Sequence, residues 1–156
     1  MLHFTIPGYG SLRIQHFVMD FNGTLAVDGH LLNGVAERFQ KLSPEVDLYV
    51  LTADTFGLVR QEMGNMPCTV TILGKEHQAE AKGMYVEKLG AESTVAFGNG
   101  RNDRLMLKKA RLGIAILQGE GVARETWDAA DIVVKHIHDA LDLFLNEKRL
   151  IATLRR

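Results

Sequence analysis

Six short runs rich in β-branched and other apolar residues recur along the chain: QHFVMD (15–20), DLYVLT (47–52), TVTIL (69–73), TVAFG (94–98), LGIAI (112–116) and DIVV (131–134). Segments with helical spacing lie between most of them. NGVAERFQKLS (33–43) puts Val35, Phe39 and Leu42 on one helical face, and AEAKGMYVEKLG (79–90) does the same with Ala81, Tyr85 and Leu89 before a stopping Gly90. RNDRLMLKKA (101–110) and GVARETWDAA (121–130) read as two further helices. Strands alternating with helices predict an α/β domain with a mainly parallel sheet, because parallel neighbours need a crossover connection. The opening FTIPGYGSLRI has a Pro-Gly turn between two extended runs and predicts an added N-terminal hairpin over 1–14. DALDLFLNEKRLIATLRR (139–156) reads as a helix followed by a basic and apolar tail. Its Leu150, Ile151 and Leu154 are expected to pack on the domain's own sheet, with a subunit contact and hence a homo-oligomer as the alternative.

At 156 residues the chain is expected to form one domain, 1–156, with a core that needs no disulfide or structural metal. A net charge of −1 offers no basic surface for nucleic acid or an anionic membrane, and no apolar run approaches the ~20 residues of a membrane span. The single cysteine, Cys68, suits a reducing compartment, and the N-terminus has no basic stretch followed by an apolar one, so a cytoplasmic location is expected.

Three of the strands finish on a polar residue: Asp20 after FVM, Thr52 after YVL, and Asn99 after VAFG. In a parallel sheet these endings share one edge, the carboxyl edge where open α/β folds bind ligands. Strands must end somewhere, so the weight comes from three endings together with their flanking glycines. Gly23 allows a tight turn that presents N–H groups to an anion, Thr24 adds a hydroxyl to cap it, and Gly98 and Gly100 flank Asn99. Asp103 lies one helical turn farther on. Two carboxylates with amide oxygens describe a hard, oxygen-rich site of the kind Mg²⁺ prefers. His136 and His138, spaced to point the same way on a strand, read as surface residues. A lysine to balance the negative charge could be Lys82 or Lys75.

With these residues in place, the chain resembles the haloacid-dehalogenase-superfamily phosphatases, and more narrowly the soluble proteins related to the phosphorylation domain of P-type ATPases. DFNGTLA is similar to their Asp-Lys-Thr-Gly-Thr-Leu-Thr loop, LTADT to Thr-Gly-Asp, and GNGRNDRLML to Gly-Asp-Gly-x-Asn-Asp; GEGVARETWDAADIVV also resembles the segment that follows. The resemblance covers roughly 16–140 and implies a three-layer Rossmann-like fold. It implies Asp20 as a nucleophile that becomes an aspartyl phosphate. It also implies phosphate binding by Gly23, Thr52, Ala53 and Lys82, Lys82 being preferred over Lys75 on this basis. Mg²⁺ would be held by Asp20, the backbone carbonyl of Asn22, Asn99 and Asp103. Asp54 would order nearby loops. The substrate would be a phosphorylated small molecule or a phosphoprotein.

The chain departs from the pattern twice. Asn22 stands where most of these phosphatases have an aspartate that protonates the leaving group and then activates water, which implies a preference for good leaving groups. Asn99 replaces a metal-binding aspartate, which implies weaker Mg²⁺ binding. The alternative to an enzyme is a catalytically degenerate phosphate-binding or regulatory module. With 31 residues between Asp20 and Thr52 and 29 between Thr52 and Lys82, there is no room for a cap domain, and an open site is expected.

Overall fold

A computed structural model describes residues 1–156. Strands β1 (Leu2–Ile6) and β2 (Gly10–Ile14) form the antiparallel N-terminal hairpin. The chain then enters the main sheet at β3 (His16–Asp20), makes a small antiparallel pair, β4 (Ala26–Val27) with β5 (His30–Leu31), and forms helix α1 (Val35–Leu42). Next come β6 (Asp47–Thr52), α2 (Val59–Met63), β7 (Thr69–Ile72), α3 (Gln78–Leu89), β8 (Thr94–Gly98) and α4 (Arg104–Lys109). The chain closes with β9 (Leu112–Ile116), α5 (Arg124–Ala129), β10 (Ile132–Val134), α6 (Ile137–Leu145) and α7 (Glu147–Leu154).

The six-stranded sheet runs in the order β10-β9-β8-β3-β6-β7, and every neighbouring pair is parallel. From β3 the chain winds outward through β6 and β7, then crosses back to β8 and winds the other way. The reversal lies between β3 and β8, and the crevice outside the strand ends at such a point is where doubly wound sheets take ligands. β3 explains its own central place: Phe17, Val18 and Met19 are all fully buried because both faces of the sheet are covered. Phe17 and Met19 face the larger core with α1, α6 and the hairpin, while Val18 faces the smaller one with Val86, Met106 and Leu107 of α3 and α4. This is the three-layer arrangement expected. No cap interrupts it, since the chain between β3 and β6 holds only the β4–β5 pair and α1, and that between β6 and β7 only the short α2.

The hairpin joins the main core through Phe4, whose ring meets Phe144 at 6.1 Å, and Phe144 in turn sits 4.7 Å from Phe17. The C-terminal segment differs from the expectation of a helix and tail. Its last residues form a second helix, α7, that lies against β1 with Leu150 fully buried and Ile151 and Leu154 packed beside it. Those side chains cover the hairpin, because the hairpin's inward residues Phe4 and Ile6 need an apolar partner beyond the sheet.

Two further expectations are corrected. On α3 the buried residues are Ala79, Lys82, Gly83 and Val86, with Ala81, Tyr85 and Leu89 only half-buried. The helix is rotated to bring an ammonium inward, where ion pairs offset its burial. His136 and His138 share no strand: His136 precedes the first turn of α6, and His138 lies within it, 2.6 Å from the Asn33 carbonyl oxygen. None of the helices is long and apolar enough to cross a membrane.

Candidate active site

The sheet register assembles the site from distant segments. Asp20 ends β3 opposite Leu51, so Thr52 lies one residue farther along the carboxyl edge; Met19 faces Phe97, so Gly98 and Asn99 reach the same edge on the other side. Asp20 is 6 % exposed, Thr52 2 %, Asn99 8 %, and Lys82 and Asp103 are fully buried. So much buried polarity is tolerated only where partners satisfy it.

Lys82 is the hub. Its Nζ donates to Asp20 Oδ1 at 2.6 Å and to Asp103 Oδ1 at 2.7 Å. Asp103 Oδ2 accepts the backbone N–H groups of Asn99 at 3.0 Å and Gly100 at 2.9 Å, which fixes the loop after β8 on the same carboxylate. That closeness explains Gly98, where a Cβ would come within 2.5 Å of the Asp103 Cβ. Gly23 adopts φ +82, and a side chain there would run into the Asn99 amide. Thr24 Oγ1 lies 3.4 Å from Asp20 Oδ2 and 3.2 Å from Asn99 Oδ1, and its single proton goes to one of the two. The Asn99 Nδ2 donates to the Gly121 carbonyl at 2.9 Å.

Burial, and next the charge of Asp103, push the Asp20 carboxyl up to about 7, against the opposing pull of Lys82. Burial pulls the Lys82 ammonium down, but Asp103 and Asp20 together outweigh it and hold the group above its ordinary value. Two carboxylates against one ammonium leave a local charge of −1 when all are ionised, which is the electrostatic condition for accepting a cation. The donors are carboxylate, amide and backbone oxygens, and no three His, Cys, Asp or Glu converge anywhere in the fold. A hard cation that completes its shell with water fits such a set, and a soft metal does not.

The remaining expected residues sit around this hub. Thr52 Oγ1 accepts the Asp54 N–H at 2.9 Å, which leaves the hydroxyl proton free to donate. Asp54, at φ +51, accepts the Val59 N–H at 3.0 Å and so ties the loop after β6 to the start of α2. Ala53 is half-buried on that loop. Asn22 is half-buried, its backbone bridges Ala26, and its side-chain Oδ1 is buried with no hydrogen-bond partner. Lys75 is exposed and offers only its carbonyl, to Gln78, so it takes no part in the hub.

The sequence pointed to Thr24 only as a cap and to no site residue in the loop after β9. That loop reaches the site through Gly121, Ala123, whose N–H donates to the Asn99 carbonyl at 2.8 Å, and Gln118. The signal was present as QGEG following the buried strand LGIAI, one more glycine-flanked ending on the same edge.

Residues 82–140 match the family model of the haloacid dehalogenase-like hydrolases. An uncharacterized protein of Methanocaldococcus jannaschii is 51 % identical over 86 residues, which is 53 % of this chain and 90 % of that protein. A second from the same organism is 45 % identical over 38 residues, 24 % of this chain and 86 % of that protein. Among solved structures, the cobalt-bound deoxy-D-mannose-octulosonate 8-phosphate phosphatase of Haemophilus influenzae superposes with a TM-score of 0.71 at 15 % identity, over 92 % of this chain and 94 % of that one. The 3-deoxy-D-manno-octulosonate 8-phosphate phosphatase of Moraxella catarrhalis, in complex with magnesium, phosphate and KDO, gives 0.67 at 19 % identity over 91 % and 94 %. At these identities the likeness is one of fold.

Proposed function

Because the chain belongs to the haloacid dehalogenase-like hydrolases, we propose that it is a Mg²⁺-dependent phosphohydrolase or phosphotransferase working through a phosphoryl group carried on Asp20. The observation that carries the reading is the buried ion-pair hub, in which Lys82 Nζ bridges Asp20 and Asp103 at 2.6 and 2.7 Å. Structural ion pairs of this kind are weak stabilisers, so a fully buried lysine between two aspartates at the carboxyl edge of a parallel sheet favours chemistry over architecture. The substrate is proposed to be a phosphorylated small molecule or a phosphoprotein, reaching a site that no cap covers.

Asp20 attacks phosphorus with the oxygen that Lys82 does not hold, forming an O–P bond as the leaving group's bond to phosphorus breaks and takes its electron pair. Lys82 keeps Asp20 ionised and oriented, and neutralises charge on the transferring group. The free Thr52 proton and the backbone N–H groups of Ala53 and of Asn22, which opens the Gly23 turn, receive phosphoryl oxygens. Asp20, the Asn22 carbonyl, Asn99 and Asp103 would hold Mg²⁺, which when bound supplies Lewis-acid neutralisation of the phosphoryl charge. Asn22 has no proton to give at neutral pH, so the leaving group must depart as a stable anion, as from an acyl phosphate or a phosphoanhydride. Water then attacks the aspartyl phosphate without a carboxylate at position 22 to assist it.

The test is incubation with acetyl phosphate, ATP and an aryl phosphate plus Mg²⁺, read by phosphate release and intact mass. Wild type is expected to release phosphate and to carry one added phosphoryl mass, whereas Asp20→Asn does neither. A protein that binds phosphate but neither turns over nor gains mass would be the degenerate binding module instead. Asn99→Asp is expected to tighten Mg²⁺ binding in a calorimetric titration by restoring a charge. It also turns a carboxylate oxygen toward the Gly121 carbonyl that Asn99 Nδ2 now satisfies, so the metal-free variant should melt at a lower temperature. Unchanged Mg²⁺ affinity would put residue 99 outside the metal's ligands.

A further inference from the structure

The nucleophile loop after Asp20 is only partly held by its own hydrogen bonds. The Phe21 carbonyl accepts the N–H groups of Thr24, Leu25 and Ala26 at 3.2, 2.9 and 2.9 Å, and Gly23 N–H donates to Ala26 at 2.7 Å. No backbone N–H donates to the carbonyls of Gly23 and Thr24. Both are taken by one side chain from the loop after β9: Gln118 Nε2 lies 3.1 Å from the Gly23 oxygen and 2.6 Å from the Thr24 oxygen. The other end of the same amide, Oε1, accepts the Ile137 N–H at 3.1 Å, at the first turn of α6. Two carbonyls demand a donor and an N–H demands an acceptor, so the partners on both sides fix the amide's orientation. Gln118 therefore bridges three backbone groups from two segments far apart in sequence.

We propose that Gln118 is a positioning residue that holds the turn beside Asp20, Gly23–Thr24, in its working conformation; the inference rests on the reading of Asp20 as nucleophile. Fixing the two carbonyls fixes the peptide planes on either side of Thr24, and with them the Thr24 hydroxyl beside Asp20 Oδ2 and Asn99 Oδ1. The anchor is α6, which is clamped to α1 by the Arg38 pair with Asp142, at 2.8 Å from Nε and 2.9 Å from Nη2. The turn is thus braced, through Gln118, against α6 and the body of the domain.

Two substitutions separate bracing from ordinary stability. Gln118→Glu keeps an oxygen for Ile137 N–H, and places its negative charge at a helix N-terminus where charge is favoured. It also sets a second oxygen against the two carbonyls. Gln118→Met removes both functions. Amide exchange of Thr24, Leu25 and Ala26 is expected to quicken by at least about tenfold in both variants. Ile137 should keep its protection in Gln118→Glu and lose it in Gln118→Met. With acetyl phosphate, kcat is expected to fall about ten- to a hundredfold in both, since small misplacements of reacting groups have effects of that order, while KM moves less than about threefold. Wild-type exchange in Gln118→Glu, or faster exchange with kcat unchanged, overturns the proposal. If the wild type turns over no phosphate compound, the nucleophile reading fails, and exchange alone then decides whether Gln118 braces the turn.

Discussion

Lys82→Met is expected to lower the unfolding free energy by about 3–5 kcal/mol at pH 7, measured by urea denaturation of the metal-free protein. Methionine fills much the same space as the lysine stem, so the loss is electrostatic: Asp20 and Asp103 are left buried with no positive charge between them. The pH dependence follows from the direction of the shift on Asp20. Burial and Asp103 raise its carboxyl to about 7 from 3.8, so the penalty on its charged form is absent below pH 3.8 and grows as pH rises toward 7. Lys82 is one of the groups that pulls that value down, and removing it moves the folded carboxyl higher and extends the growth of the penalty above pH 7. The deficit against wild type should therefore hold nearly constant below about pH 6, where Asp20 is protonated in both folded proteins, and widen as pH rises above 7. Turnover should drop by at least about a hundredfold at every pH, as for loss of any fixed charge aimed at a transferring phosphoryl group. An identical unfolding midpoint at pH 7 would mean the two carboxylates are never ionised together.

The second large effect is a gain. Asn22→Asp is expected to raise turnover of alkyl phosphate monoesters by about a hundredfold, near the lower end of what general acid-base catalysis contributes. It should also shorten the lifetime of the aspartyl phosphate. The structure adds a reason to expect the new group to be useful. Asn22 Oδ1 is buried and unpartnered, and a carboxyl in that place would be favoured in its neutral form by burial, which is the form that donates a proton. Acyl phosphates, whose leaving groups need no proton, should gain far less. The comparison is steady-state turnover of one alkyl and one acyl phosphate by both proteins, with Asp20→Asn as the inactive control. Should the ratio of the two rates stay the same, residue 22 has no part in proton transfer.

The order of elements and the identity of the site's carboxylates were legible in the chain because the signals are local. Phe17, Val18 and Met19 are apolar without alternation, as only a strand covered on both faces can be, and Asp20 ends the run where the covering ends. Asp20, Thr52 and Asn99 could be placed on one edge from strand direction alone, and the sheet register does bring them there. The C-terminal segment shows the limit of such reading. Leu150, Ile151 and Leu154 announced an apolar face, but nothing local said that the face belonged on the hairpin.

Periodicity likewise gave α3 a face of Ala81, Tyr85 and Leu89, whereas the helix is turned to bury Lys82. Hydrophobic pattern cannot foresee a buried ammonium, since its stability depends on two carboxylates 62 and 21 residues away. The choice between Lys82 and Lys75 needed a resemblance in the sequence and became a distance in the structure. Gln118 lay beyond sequence reading for the same reason. Its partners are backbone groups, which carry no side-chain signature, and they lie 95, 94 and 19 residues away. Which residues end the strands, and that those ends share one edge, could be read from the chain alone, because burial and strand direction are written in neighbouring residues. How the charges pair, and which side chain holds the carbonyls of Gly23 and Thr24, came from the folded chain alone, because those energies depend on distances between segments that no local pattern encodes.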